Sequence, residues 1–288
     1  MDTQPPTFNI FVVRHGERVD AVFGEWVAHC FDSHGAYRRL DLNLPAKLPP
    51  RPCEHYQVDT PITELGHWQA RQVGTALASL PGVNIGSVLT SPAFRCIQTA
   101  AEILSCLPRN VLMQVEAGLL EAGCWNAGVL KPEQAVLLDP SVLAGLGYPV
   151  DAAVSTPPLT SLPVASEDII GMYRRGGDVM RRLVQRHKEG GVGDLLIVAH
   201  GSSLDVLTHG LRYPSPEVTP GEFAGASSLE DQQKAFMMRM AKGRVCAESF
   251  CGVAQLRYDR SSGSVEVMDS SALGLTHNSN KRFVFGQS

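Results

Sequence analysis

The chain has no surplus of positive charge: 25 Lys and Arg stand against 29 Asp and Glu, for a formal net charge of -4. That balance argues against nucleic acid as a partner, so any anion site must be built locally. No apolar run approaches membrane-spanning length, since the opening one covers only residues 8–13. The N-terminus has neither a basic region nor a cleavage pattern, and neither secretion nor a membrane partner is expected. Cysteines lack a framework. There are 7, an odd number without a repeated short spacing, and nothing beside the closest pair, Cys246 and Cys251, completes a zinc set. Reduced thiols in a cytoplasmic protein are the expectation. Internal repeats, low-complexity tracts and linkers are also missing. With 288 residues and 44% hydrophobic content the chain reads as one soluble domain, residues 1–288, able to bury a sizeable core.

Against these absences stands Phe8-Asn9-Ile10-Phe11-Val12-Val13-Arg14-His15-Gly16-Glu17-Arg18, a short apolar run ending abruptly in charge. The run reads as a buried strand, and Gly16 lets the backbone turn just after His15. Val19 to Phe31 has helical character. From Asp32 to Pro61 the prolines (Pro45, Pro49, Pro50, Pro52, Pro61) exclude regular structure, so residues 20–60 read as an insertion covering the strand's end. Phe23, Trp26, Tyr37, Arg38 and Arg39 within it are candidates for shaping a pocket.

Thr63 caps a predicted helix with Leu65, Trp68, Val73, Leu77 and Leu80 on its apolar side. Val83–Thr90 reads as a strand. Ser91 as N-cap with Pro92 at the first helical position then starts a helix that holds Arg95 in its first turn. Val111–Val115 is a third strand, followed by Glu121 in a Gly-punctuated loop among apolar residues, surroundings that favour a protonated carboxyl. Residues 126–163 read as a second insertion, irregular apart from a helical turn near Glu133–Leu138. A long amphipathic helix starts near Ser166, with Gly176-Gly177 as a point of weakness or kinking. Leu195–Ala199 is the clearest buried strand and ends in His200-Gly201. A helix over Leu204–Leu211, a loop over residues 213–235 and a hairpin of Val253–Tyr258 with Ser264–Met268 complete the pattern.

Strands alternating with helices imply an α/β three-layer sandwich, a mostly parallel central sheet with helices on both faces. In a parallel sheet the strand ends share one edge, which brings His15, His200 and Arg95 to the same rim, with Glu121 near them. A lone His is more often structural than chemical; two His-Gly strand ends meeting Arg14, Arg18 and Arg95 make an active site. Guanidinium forks suit a phosphate dianion and hold a nearby imidazole neutral, which leaves it nucleophilic. Glu121 is the acid available for a leaving oxygen. The inventory fits phosphoryl transfer through a phosphohistidine, with neither metal nor cofactor required.

On Arg14-His15-Gly16-Glu17, on Arg95 within Ser91-Pro92-Ala93-Phe94-Arg95-Cys96-Ile97-Gln98-Thr99-Ala100, and on His200-Gly201, the sequence resembles the histidine phosphatase (phosphoglycerate-mutase-like) superfamily. The resemblance implies a phosphoglycerate-mutase-like fold with His15 as phosphorylated nucleophile, Arg14, Arg95 and His200 holding the phosphoryl group, and Glu121 as acid. Arg18-Val19-Asp20, Tyr37 through Pro45, Leu120-Glu121 ahead of Trp125, and Leu275-Thr276-His277-Asn278 are similar to two groups within it. These are the phosphatase domain of the suppressor-of-T-cell-receptor-signalling proteins and the insect ecdysteroid-phosphate phosphatase. That likeness implies a phosphate contact for Arg18, a phosphotyrosine-like or bulky steroid-type phosphate as substrate, carried on a small molecule or a phosphoprotein, and a homodimer. Ala122-Gly123-Cys124 depart from the pattern and leave the substrate open. Other readings are a catalytically weak phosphate-binding scaffold, a phosphoglycerate-type mutase, a metal site of His15, His200 and Glu121, and a serine hydrolase at Gly201-Ser202-Ser203. The mutase reading meets Glu17-Arg18-Val19-Asp20 where a Ser and an Asn would bind the sugar acid.

Overall fold

Successive side chains of the first strand point to opposite faces of the sheet, and both faces are apolar. Phe8, Ile10 and Val12 enter one core, while Phe11 and Val13 enter another. The computed structural model describes residues 5–130, 136–153, 160–213, 215, 219–242, 249–269 and 273. In chain order its elements are β1 (Thr7–Arg14), α1 (Val19–Phe23), α2 (Trp26–Cys30), α3 (His55–Val58), α4 (Glu64–Ser79), β2 (Ile85–Thr90), α5 (Phe94–Ser105), β3 (Met113–Val115), α6 (Pro140–Gly145), α7 (Ile169–Gly190), β4 (Asp194–Ala199), α8 (Gly201–Arg212), α9 (Leu229–Lys242), β5 (Val253–Asp259) and β6 (Val265–Met268). The strands form one sheet in the order β3-β2-β4-β1-β5-β6, the first four parallel and the last two joined antiparallel. Helices α4 and α5 pack on the face of Phe11 and Val13, and α7 and α8 on the face of Ile10 and Val12. The mixed sandwich expected from the alternating pattern is therefore present. No described helix is long and apolar enough to cross a membrane.

Topology places the chemistry. β4 is inserted between β1 and β2, so the ends of three strands lie side by side: Arg14 pairs with Ala199, and Thr90 with Val198. The residues that follow, His15, His200 and Ser91, thus leave the sheet together. His15 N–H donates to the Ala199 carbonyl and Ser91 N–H to that of Val198.

Several local expectations need correction. Helix α4 is capped by Thr63, whose hydroxyl accepts from Gly66 N–H, but Leu65 and Trp68 face outward. Its buried side is Gly66, Ala70, Val73, Gly74 and Leu77. The reason is close approach: a Cβ on Gly66 would lie 2.6 Å from the Glu17 carbonyl oxygen, and one on Gly16 would lie 2.7 Å from that of Gly66. Small residues, not large apolar ones, let this helix lie against the turn after His15. Helix α5 starts at Phe94 and not after Ser91, because Ser91 Oγ is engaged by His200 and Asp59 Oδ1 takes the Phe94 N–H at 2.8 Å. The turn expected near Glu133–Leu138 lies partly outside the described residues, and the helix found is α6, where Asp139 caps with Pro140 next to it. Helix α7 starts at Ile169 behind an Asp168 cap and runs through Gly176-Gly177 as a single helix. The pair serves packing: a Cβ on Gly210 of α8 would sit 2.2 Å from the Gly177 Cα. Residues 213–235, expected as loop, include the first half of α9. Its start is tied by Ser228, whose hydroxyl accepts from Asp231 N–H at 3.1 Å.

Candidate active site

His15 is 2% exposed, and its Nδ1 lies 2.9 Å from the carbonyl oxygen of Gly16. A carbonyl only accepts, so Nδ1 carries the proton and the neutral ring has an unprotonated Nε2. Burial first, then the Arg95 and Arg14 guanidinium groups, hold the His15 pKa well below the ordinary imidazole value. The turn itself is pinned from three sides. Gly16 N–H donates to Thr99 Oγ1 of α5 at 2.9 Å, Glu17 N–H to Gln69 of α4, and the His15 carbonyl accepts from Cys251 N–H.

His200 is fully buried, with its ring centroid 5.7 Å from that of His15, edge to face. Its Nδ1 lies 3.1 Å from Arg95 Nη2 and its Nε2 lies 2.8 Å from Ser91 Oγ. An arginine only donates, so Nδ1 accepts and Nε2–H donates to Ser91. This tautomer is opposite to that of His15. Desolvation, then Arg95 and His15, push its pKa well down, so its 3.5 Å approach to Glu121 Oε2 is a contact of a neutral ring and not an ion pair.

Glu121 lies 3.5 Å from Arg95 Nη2, and its Oε1 accepts from Ser202 Oγ at 3.1 Å. Its surroundings are therefore polar, in contrast to the apolar ones expected from its neighbours in sequence. The loop bearing it is held by Arg175 of α7, which donates to the carbonyls of Gly118 and Glu121 and pairs with Glu167. Arg95 is 4% exposed, and its Nε has no hydrogen-bond partner among the described residues, a buried donor left for something else. Arg14 lies with its guanidinium carbon 4.5 Å from the centre of the Phe250 ring. Burial lowers its pKa while Glu121 opposes the shift, and the group stays charged.

Five of the six residues singled out in the sequence thus form one group, His15, Arg95 and His200 buried and Arg14 and Glu121 partly so. Arg18 stands at the rim, with both fork nitrogens engaged by Asp20. Arg95 and Glu121 of this group line a cleft of about 390 Å³ together with Arg18, Asp20, Val58, Trp125 and Val129. Both insertions contribute to it, residues 20–60 through Val58 and residues 126–163 through Val129. No described group of three or more His, Cys, Asp or Glu is placed to hold a metal ion. The serines after Gly201 have other tasks: Ser202 serves Glu121, and Ser203 Oγ accepts from His200 N–H.

Two contributors escaped sequence reading. Ser91 carried a signal, but one that read as a helix cap. The other is a buried ion pair, Arg51 with Asp59 at 2.8 Å, their side chains 3% and 1% exposed. Arg51 lies over the Tyr56 and Phe94 rings, at 4.1 and 5.1 Å, while Asp59 holds Phe94 N–H. The pair ties the first insertion to the helix start that carries Arg95. No spacing in the sequence announces it.

Burial pushes the Cys96 thiol up to about 12, which disfavours its thiolate. All six described cysteines are free.

Comparison with known proteins gives the family. The chain is 39% identical over 213 residues to the human (Homo sapiens) ubiquitin-associated and SH3 domain-containing protein B, covering 72% of this chain and 32% of that protein. To the ecdysteroid-phosphate phosphatase of Bombyx mori it is 36% identical over 220 residues, covering 74% and 32%. The chain thus spans about a third of the length of these curated relatives. Among solved structures, the ecdysone phosphate phosphatase from Bombix mori in complex with tungstate superposes with a TM-score of 0.72 at 29% identity, over 91% of this chain and 92% of that one. A phosphoglycerate mutase from Bacillus anthracis, at 15% identity and a TM-score of 0.50, shares the fold. Residues 54–223, which include Arg95, Glu121 and His200, match the model of the histidine phosphatase superfamily, branch 1, and the chain belongs to that family.

Proposed function

We propose that the protein hydrolyses phosphate monoesters through a covalent phosphohistidine at His15. The observation that carries this reading is the bond from His15 Nδ1 to the Gly16 carbonyl, which leaves Nε2 as the free nitrogen beside Arg14 and Arg95. In the first step the Nε2 lone pair forms a bond to phosphorus as the bond to the ester oxygen breaks. Glu121 relays to that oxygen the proton that the phosphate monoanion brings in, and the alcohol departs. In the second, the Glu121 carboxylate takes a proton from water, whose oxygen attacks phosphorus and releases phosphate and His15. Arg14 and Arg95 hold the non-bridging oxygens, with Arg95 Nε a ready donor; His200 joins them in the tautomer that carries its proton on Nδ1, Nε2 then accepting from Ser91, and Arg18 joins once the phosphate outcompetes Asp20. The proposal takes its positive charge from guanidinium groups and invokes no metal.

The partly apolar walls of the cleft support an aryl or bulky alcohol phosphate as substrate, and the ecdysteroid-phosphate phosphatase relative points the same way. Free thiols support a cytoplasmic setting, and the homodimer stays part of this reading on the likeness to those relatives. Rapid quenching with a ³²P-labelled aryl phosphate tests the mechanism. Acid-labile, base-stable label on wild type and none on His15→Ala is the expected result; label retained by His15→Ala removes His15 as nucleophile.

A further inference from the structure

We propose that the cleft continues past Asp20 into a second compartment that receives the far end of the leaving group. Asp20 and Glu25 there turn away leaving groups with a second negative charge. This deepens the phosphatase reading and rests on it for the position of the phosphate. The second cavity, about 550 Å³, is walled by Asp20, Glu25, Trp26, Val27 and Gln57 among others. Asp20 and Gln57 also line the cleft over Arg95 and Glu121, so the two spaces adjoin across this pair. A short alcohol stays against Val58 and Trp125, and a longer one passes between the compartments.

The charges there are of one sign. Two carboxylates and no basic residue line the second compartment. The cation beside it, Arg18, already has its fork on Asp20. A carboxylate or second phosphate entering would meet the Glu25 carboxylate, and that of Asp20 as well once Arg18 has turned to the substrate's own phosphate, losing affinity while the phosphate site is unchanged. The rest of the lining points to what is accepted: Trp26 and Val27 bring apolar surface and Gln57 a neutral amide. The structure assigns to this site an extended alcohol whose distal part carries no negative charge.

The test uses three hydrolysis-inert aryl difluoromethylphosphonates bearing the same extended para arm, ended by a hydroxyl, a carboxylate or an ammonium group. Their affinities are measured by calorimetry. The carboxylate arm is expected to bind about tenfold or more weakly than the hydroxyl arm, and the ammonium arm at least as tightly as the hydroxyl. Glu25→Gln narrows the first gap by about threefold or more and leaves the hydroxyl arm within about twofold of wild type. Equal binding of the carboxylate and hydroxyl arms, or an unchanged gap in Glu25→Gln, overturns the proposal. Turnover of phenyl phosphate, which has no arm, scores the phosphatase reading separately. Turnover without arm discrimination sinks only the charge filter; arm discrimination without turnover sinks only the phosphatase reading.

Discussion

At the carboxyl edge of the sheet His200 donates to Ser91; at the amino edge His187 lies 3.1 Å from Ser87 Oγ and 2.9 Å from the Gly193 carbonyl. Each edge also has a cavity and an arginine, that of the amino edge being about 320 Å³ and lined by Arg186. Burial depresses the pKa of both histidines. Yet the two regions differ in what they leave unspent. His187 uses both ring nitrogens, Nε2–H toward Gly193 and Nδ1 as acceptor from Ser87, and packs on Phe8 at 4.6 Å. At the carboxyl edge, among the described residues, His15 keeps one nitrogen free and Arg95 keeps an unpaired Nε. A buried neutral histidine beside a serine is thus not a site. Unspent valence facing converging cations is.

The comparison breaks most sharply at His15. On the proposed mechanism His15→Ala lowers kcat on p-nitrophenyl phosphate by about 10⁴-fold or more, measured at saturating substrate. A residual rate within tenfold of wild type would erase the distinction between the edges. Next comes the ion pair under the carboxyl edge. Asp59→Asn leaves Arg51 buried without its counter-charge, and a loss of about 3–5 kcal/mol in urea unfolding is expected. A loss below 1 kcal/mol would mean that Arg51 finds water in the variant.

His187→Ala is expected to cost about 1–3 kcal/mol of stability by orphaning its partners, while kcat stays within about twofold. A large fall in kcat with stability intact would make the amino edge functional after all. The effect of pH is shared among three rings. His15, His187 and His200 have folded pKa values below the unfolded one, near 6.5, so their neutral burial is fully tolerated above that pH. As pH falls below about 6.5 the unfolded chain binds protons that the folded one refuses, and stability drops by up to about 1.4 kcal/mol per pH unit for each such group. Scanning calorimetry between pH 7 and 5 should show Tm falling; a flat Tm would show that these rings are not held neutral.

Much of this organisation was legible because apolar runs are unambiguous when both faces of a strand are buried, as in β1 and β4. A parallel sheet then forces His15 and His200 to one edge. What resisted reading depends on partners distant in sequence. Leu65 and Trp68 look like a core face until Gly66 must touch Glu17. Ser91 looks like a cap until His200 claims it. Glu121 looks apolar from its sequence neighbours but meets Arg95 and Ser202 in space. Asp59 and Arg51 look like ordinary loop charges. By contrast α9 was missed despite a readable signal, Ser228 three residues ahead of Asp231, hidden by the Gly and Pro before it. Leu275 through Asn278 lie outside the described residues.

The antiparallel strand β5 carries a practical consequence for anyone choosing cloning boundaries. It pairs with β1 from Thr7 to Val13, and just ahead of it Gly252 accepts from Arg14 N–H while Phe250 lies beneath the Arg14 guanidinium. The family match ends at residue 223 and begins after His15. A fragment trimmed to that span would lack β1 and His15 altogether. One extended only at its front would leave β1 as a raw edge, open to pairing with other chains in place of β5. The smallest piece worth purifying therefore runs from ahead of Thr7 to beyond Met268.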